Sequence, residues 1–276
     1  MAIVRHLAVV SESKSVKLAD VAAPVAALQI QITRDFVPVW RRPATIAAFP
    51  KLVDVPLDHW PVIVRDDIPY DAQGIHLDRD GLPFSLVLYD PSWSLTTSHE
   101  VLEMLGDPLG RRTRTAPSIK AGQGRVRYLV EVCDPSEASD FAYDINGVTV
   151  SDFYFPSFFD AAKTDGRRYS FTGAITAPRK VLKGGYLSWQ DPATGHWWQQ
   201  TYFGTRKFRD LGVFTKGTNP RRGTDGATEV PRSVMTIASA GRGPAALAAA
   251  NGGDSRSRAS YLRAAVQRII DASSSS

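Results

Sequence analysis

The 276-residue chain contains a single cysteine, Cys133. An internal disulfide framework is thereby excluded, and such a composition suits a reducing compartment. No stretch approaches the roughly 18 apolar residues that a membrane helix needs. Residues 1–6 lack the basic segment, apolar run and cleavage site of a secretory signal. These absences predict a protein of the cytoplasm, or of a particle assembled there, with no membrane contact. Net charge is also missing from most of the chain. From Lys216 onward nine Lys/Arg face four acids, which leaves 24 residues of each sign in the first 215. The sequence pI near 9.3 therefore belongs to the tail, and specific nucleic-acid binding is not expected.

What is present is enough for one large or two small domains, with 43% hydrophobic residues to build a core. Residues 2–10 form an apolar, β-branched run that predicts a strand. A helix is expected over 18–36, with Pro24 in its first turn. Strands follow at 43–49 and 60–68. The segments 74–77 and 84–89 flank Asp78-Arg79-Asp80-Gly81, a turn signal between two apolar runs, and predict a hairpin. A further helix begins after Asp90-Pro91, with Ser94 or Thr96 available as N-cap.

That helix carries His99-Glu100-Val101-Leu102-Glu103. Zinc hydrolases carry His-Glu-x-x-His on a helix, where positions i and i+4 hold the metal and the Glu activates a water. Glu103 stands at the second ligand position, and a carboxylate also binds zinc. At 100° per residue His99 and Glu103 lie on one face, one turn apart. Val101, Leu102 and Leu105 point to the core. Gly106 stops the helix and Asp107-Pro108 redirects the chain. Four acids remain as sources of a third ligand: Asp107, Glu131 and Asp134 at the end of the apolar run 128–135, and Glu137 further along in an expected loop. On an extended strand Glu131 and Cys133 share a face, and Asp134 joins them only if the strand ends before it.

The pattern His-Glu-x-x-Glu-x-x-x-Asp-Pro, followed by Glu131-Val132-Cys133-Asp134, resembles a group of bacterial and plant proteins classed as divergent zincin metallopeptidases. The resemblance covers about residues 60 to 155. It implies an α+β fold: a twisted mixed sheet over an active-site helix, with an antiparallel edge strand that pairs with an extended peptide. Gly74 to Asp78 is the candidate edge. It further implies Zn²⁺ held by His99, Glu103 and Glu131, with Glu100 as general base and a peptide or protein as substrate. Asp107 and Asp134 are kept as alternative third ligands or as groups supporting the ligands. One His and two carboxylates bring more negative charge than a two-His site. Another divalent cation such as Mn²⁺ or Ca²⁺ is therefore an alternative. Leu109 stands where metzincins place a third His, so that arrangement is excluded.

His76, on the proposed edge strand, is a candidate substrate-binding residue, although an exposed histidine is the plainer reading. Cys133 reads as a small buried residue. Tyr128, Tyr143 and Tyr154 are candidates to stabilise an oxyanion. The organisation expected is a metal-binding domain over 1–139, a β-rich aromatic subdomain over 140–215, a flexible basic linker over 216–259 and an amphipathic helix over 260–272. That last helix carries Tyr261, Leu262, Val266, Ile269 and Ile270 as an apolar stripe suited to a protein partner. Beside the metallohydrolase stands a reading of another class, a non-catalytic structural or interaction protein of a larger assembly such as a phage particle.

Overall fold

Leu7, Ala8, Val9 and Val10 are all at most 1% exposed, which a strand achieves only when both of its faces are covered. The computed structural model, which describes residues 3–236, places them in β1 (Arg5–Ser11), inside a five-stranded sheet. The sheet order is β2 (Ala44–Phe49), β1, β3 (His59–Arg65), β5 (Leu82–Leu88), β4 (Gly74–Arg79). The first four run parallel, and β4 pairs antiparallel with β5 as an edge. The β4–β5 hairpin turns at Asp80 and Gly81, both at positive φ as a tight turn requires. The expected mixed α+β class holds.

Between β1 and β2 the chain forms α1 (Leu18–Ile30), a π-helical stretch over Gln31–Phe36 and α2 (Val37–Trp40). The helix is thus longer than the 18–36 expected, and Pro24 lies inside α1 rather than in its first turn. The π-helical turn serves a purpose: the Gln31 side-chain amide donates to the Ser151 carbonyl (2.9 Å) and its Oε1 accepts from the Ser98 hydroxyl (2.8 Å). Ser98 belongs to α3 (Trp93–Gly106), so this buried amide ties the two helices together. The side chains of α3 are buried from Leu95 to Gly106, and Val101, Leu102 and Leu105 join the core as expected.

An antiparallel sheet follows, ordered β12 (Lys207–Gly212), β11 (Trp197–Thr201), β10 (Tyr186–Gln190), β7 (Arg125–Leu129), β6 (Thr113–Pro117). Because β6 and β7 belong to it, the expected boundary at 139/140 cuts through a sheet and is not a domain boundary. The hairpin of β8 (Tyr143–Ile145) and β9 (Val148–Val150) completes the strands. Trp189 and Trp197, on the paired strands β10 and β11, are core at 0% and 5% exposure.

The compact unit reaches Ile237. Residues 216–236, expected to begin a flexible linker, instead carry α4 (Pro220–Asp225) and bury Arg221 to 4% exposure. The remainder of the expected linker and the helix over 260–272 lie outside the described residues. No helix among the described residues is long and apolar enough to cross a membrane.

Candidate functional site

Helix α3 delivers His99, Glu100 and Glu103 side by side, none more than 4% exposed. The chain leaving β7 brings the other half of the site. β7 ends at Leu129, and Cys133 takes a helical conformation (φ −104°, ψ −29°) that opens a 3₁₀ turn at Asp134. The strand having ended, alternation no longer sends Asp134 away from Glu131. His99 Nε2 therefore lies 3.3 Å from Glu103 Oε1 and 3.3 Å from Asp134 Oδ1. Two ligands on a tetrahedral zinc at 2.0–2.1 Å stand about 3.3 Å apart, a spacing that an ion pair between His99 and the two acids shares. Asp134, kept as an alternative third ligand, is thus brought beside His99. Glu131 remains close, its oxygen within 4.8 Å of those of Glu103 and Asp134, but its Oε2 is engaged by Arg221 at 2.7 Å.

Arg221 is the group the sequence did not reveal. Its Nη2 donates to Glu103 Oε2 (3.0 Å) and lies 3.6 Å from Glu100 Oε2, while its Nε donates to Asp225 (2.9 Å). Nη1 also abuts the His76 ring. Glu103 is thereby divided: Oε1 faces His99 and the Cys133 N–H (3.3 Å), and Oε2 faces the guanidinium.

His76 is 1% exposed and takes no part in lining the cavity, contrary to its reading as a substrate-binding or exposed residue. Its Nε2–H donates to the Asp107 carbonyl (3.0 Å), and Nδ1 points to Glu100 and Glu103 at 3.7 and 3.8 Å. Asp107 binds the Arg112 N–H through Oδ2 at 2.6 Å. Through its carbonyl and carboxylate it supports His76 and the loop after α3. Of the tyrosines, Tyr128 bonds to Pro117 and Ile119, and Tyr143 bonds to Asp35 and Gln31. Tyr154, and with it Tyr186, stands among the acids, where burial, with Asp134 and Glu103 nearby, raises the pKa of each. Cys133 Sγ bonds to the His99 carbonyl (3.8 Å) as a buried thiol; burial pushes its pKa up.

The electrostatics follow from crowding. Glu100, Glu103, Glu131, Asp134, Glu137 and Asp225 share one region with a single arginine and two histidines. Burial raises Glu131 and Asp134 well above the carboxylate range, the neighbouring acids adding to it. Glu137 is pushed up to about 8, mainly by burial. Burial works against ionisation of Glu103 too, but His99 and Arg221 outweigh it and hold its pKa low. Burial likewise opposes the His99 cation, and Glu103 and Asp134 outweigh it, so that pKa is raised. Among the described residues, His99 Nδ1, Glu100 Oε2, Glu131 Oε1, Asp134 Oδ1, Glu137 Oε2 and the Tyr154 hydroxyl are buried without a hydrogen-bond partner. Such groups are costly one at a time. Gathered around residue groups close enough together to hold an ion, they fit a divalent cation, whose binding would replace the protons burial now imposes.

A cavity of about 300 Å³ opens onto the cluster. It is lined by His99, Glu100, Glu137 and Tyr186, by residues 70–75, and by residues between Arg221 and Met235. Edge strand β4 enters at Gly74, where a Cβ would meet Glu100 Oε1 at 2.6 Å, so only glycine permits this approach. The Leu88 N–H bonds to the Gln73 carbonyl. By the alternation of an antiparallel ladder, Ile75 and Leu77 therefore pair with β5, while Gly74, His76 and Asp78 turn their backbone groups to the free edge. At the far end Arg222 takes the Asp78 carbonyl (3.0 Å). Family models, curated proteins and solved structures compared with the chain show no match to it.

Proposed function

We propose that the protein is a metal-dependent hydrolase of the zincin type acting on peptides, with His99, Glu103 and Asp134 as the ligands of a divalent cation, Zn²⁺ in the first instance. The observation that carries this reading is the set of 3.3 Å separations around His99 Nε2, surrounded by unpartnered buried acids. When bound, the ion would acidify a water and polarise the carbonyl under attack. Glu100, next to His99 and bordering the cavity, is placed to take a proton from that water. The free edge of β4, running past Glu100, supports an extended peptide as substrate, since its outward backbone groups offer the pairing such a chain needs. The test is metal content of the purified protein by mass spectrometry. One divalent ion per chain is expected in the wild type, and little in His99→Ala or Asp134→Ala; full occupancy in both variants would remove the site.

One observation favours the reading as a non-catalytic component of an assembly: the Arg221 guanidinium already neutralises Glu103 and Glu131. In that reading the cluster is a metal-free ion-pair network, and the wild type carries no metal.

A further inference from the structure

We infer that Arg221 is a positioning residue of the site, holding the outer oxygen of Glu103 and the charge of Glu131, so that residues 217–236 complete the catalytic apparatus rather than tether something to it. The inference rests on reading His99, Glu103 and Asp134 as cation ligands. A carboxylate that binds metal through one oxygen needs a donor on the other, and such support is worth about 10–100-fold in metal affinity. Glu103 presents Oε1 to His99, and Oε2 to Arg221 at 3.0 Å, with His76 Nδ1 further off at 3.8 Å. The rigid fork of a guanidinium spans Glu103 and Glu131 at once, at 3.0 and 2.7 Å, which a point charge cannot do.

The placement of Arg221 is itself built. The Asn219 side chain caps α4 by accepting the N–H of Arg221 (3.0 Å) and of Arg222 (3.4 Å), and Pro220 occupies the first helical turn. The Asn219 amide donates to the Leu109 carbonyl (2.8 Å), and the Arg221 N–H to the Gly110 carbonyl (3.1 Å). Gly110 sits at φ +62°, where a Cβ would lie 2.8 Å from that of Arg221. The loop after α3 and the turn before α4 are thus shaped for each other, and their contact delivers one side chain into the acidic cluster. Because Arg221 and the cation would act on opposite oxygens of Glu103, each should favour the other. By linkage, cation binding must then tighten the docking of α4 by the same factor.

Zn²⁺ affinity of the full chain, measured by competition with a chromophoric chelator, tests the first half, and tryptic cleavage at exposed Arg222 and Arg232 tests the second. Arg221→Ala should weaken Zn²⁺ binding about 10–100-fold, with added guanidinium ion restoring part of the loss. Arg221→Lys should fall between, because its ammonium reaches one acid at a time. In the wild type, Zn²⁺ should slow cleavage at both sites. Tighter Zn²⁺ binding by Arg221→Ala, with faster cleavage in the presence of the metal, would make Arg221 a competitor and overturn the inference. Unchanged affinity in Arg221→Lys would do the same if the alanine variant fails to fold. A wild type that binds no Zn²⁺ overturns the metal reading itself, a different result from a wild type that binds it without help from Arg221.

Discussion

Helices α3 and α4 send charged side chains into the same acidic cluster, and they are held in opposite ways. α3 is 14 residues long and buried along nearly its whole length. Val101, Leu102 and Leu105 pack into the core, so His99, Glu100 and Glu103 ride on an element that the hydrophobic effect fixes. α4 has six residues, of which only Arg221 and Thr224 are buried. It is held by the Asn219 cap, by the contact with Gly110 and by the ion pairs of Arg221 itself. The first arrangement survives changes in its charged residues because apolar packing remains. The second depends on the charges it delivers. Rigid parts of the site therefore come from α3 and conditional parts from α4, which is where sensitivity to ligand, salt and truncation should concentrate.

The largest effect should come from α3 without disturbing the fold. Glu100→Gln preserves shape but removes the ability to take a proton, and hydrolysis should fall by about 10²–10⁴-fold while metal content and thermal stability stay near wild type. Cleavage of a casein or peptide-library substrate by the metal-loaded variant at more than a few per cent of wild type would show that Glu100 is not the base.

Cutting the chain tests the other helix. A protein ending at residue 215 loses Arg221 and leaves Glu131 and Glu103 without their shared cation. Breaking a buried pair from one side costs about 3–5 kcal/mol, so its melting temperature should drop clearly and its Zn²⁺ affinity should fall at least as far as in Arg221→Ala. A chain ending at Ile237, the limit of the compact unit, should keep both. Equal stability of the two truncations would show that α4 is a passenger, as the composition of that stretch first suggests.

That composition explains what could be read in advance. The strands, the β4–β5 hairpin and the motif helix announce themselves through periodicity and turn residues, because apolar burial sets both pattern and fold. His99, Glu100 and Glu103 follow from spacing on one helix. The approach of Asp134 to His99 was not legible, since it depends on β7 ending at Leu129 and on the conformation of Cys133, neither of which alternation encodes. Arg221 was hidden for a different reason. It sits among Gly, Thr, Pro and other Arg residues with no apolar stripe, and its burial is driven by acids distant in sequence. The one local signal is Asn219-Pro220, a capping residue followed by a proline suited to a first helical turn.

The smallest effect concerns Glu137, which meets both helices: His99, Glu100 and Glu103 of α3 lie around it, as does Asp225 of α4. Burial raises its pKa from 4.5 to about 8. In the metal-free protein the folded state therefore holds a proton, between those two values, that the unfolded chain has released. The stability this group contributes is whole below about pH 4.5 and is lost as pH rises to about 8, at a slope of at most about 1.4 kcal/mol per pH unit. Glu131, Asp134 and Asp225 are shifted in the same direction, so the wild-type profile alone does not isolate Glu137. The difference between wild type and Glu137→Gln does. Urea unfolding in the presence of a chelator should find the variant more stable at pH 8, with the gap narrowing towards pH 5. Parallel profiles across that range would mean that Glu137 ionises freely in the folded protein. The acids between α3 and α4 would then have found their counter-charge without a bound cation.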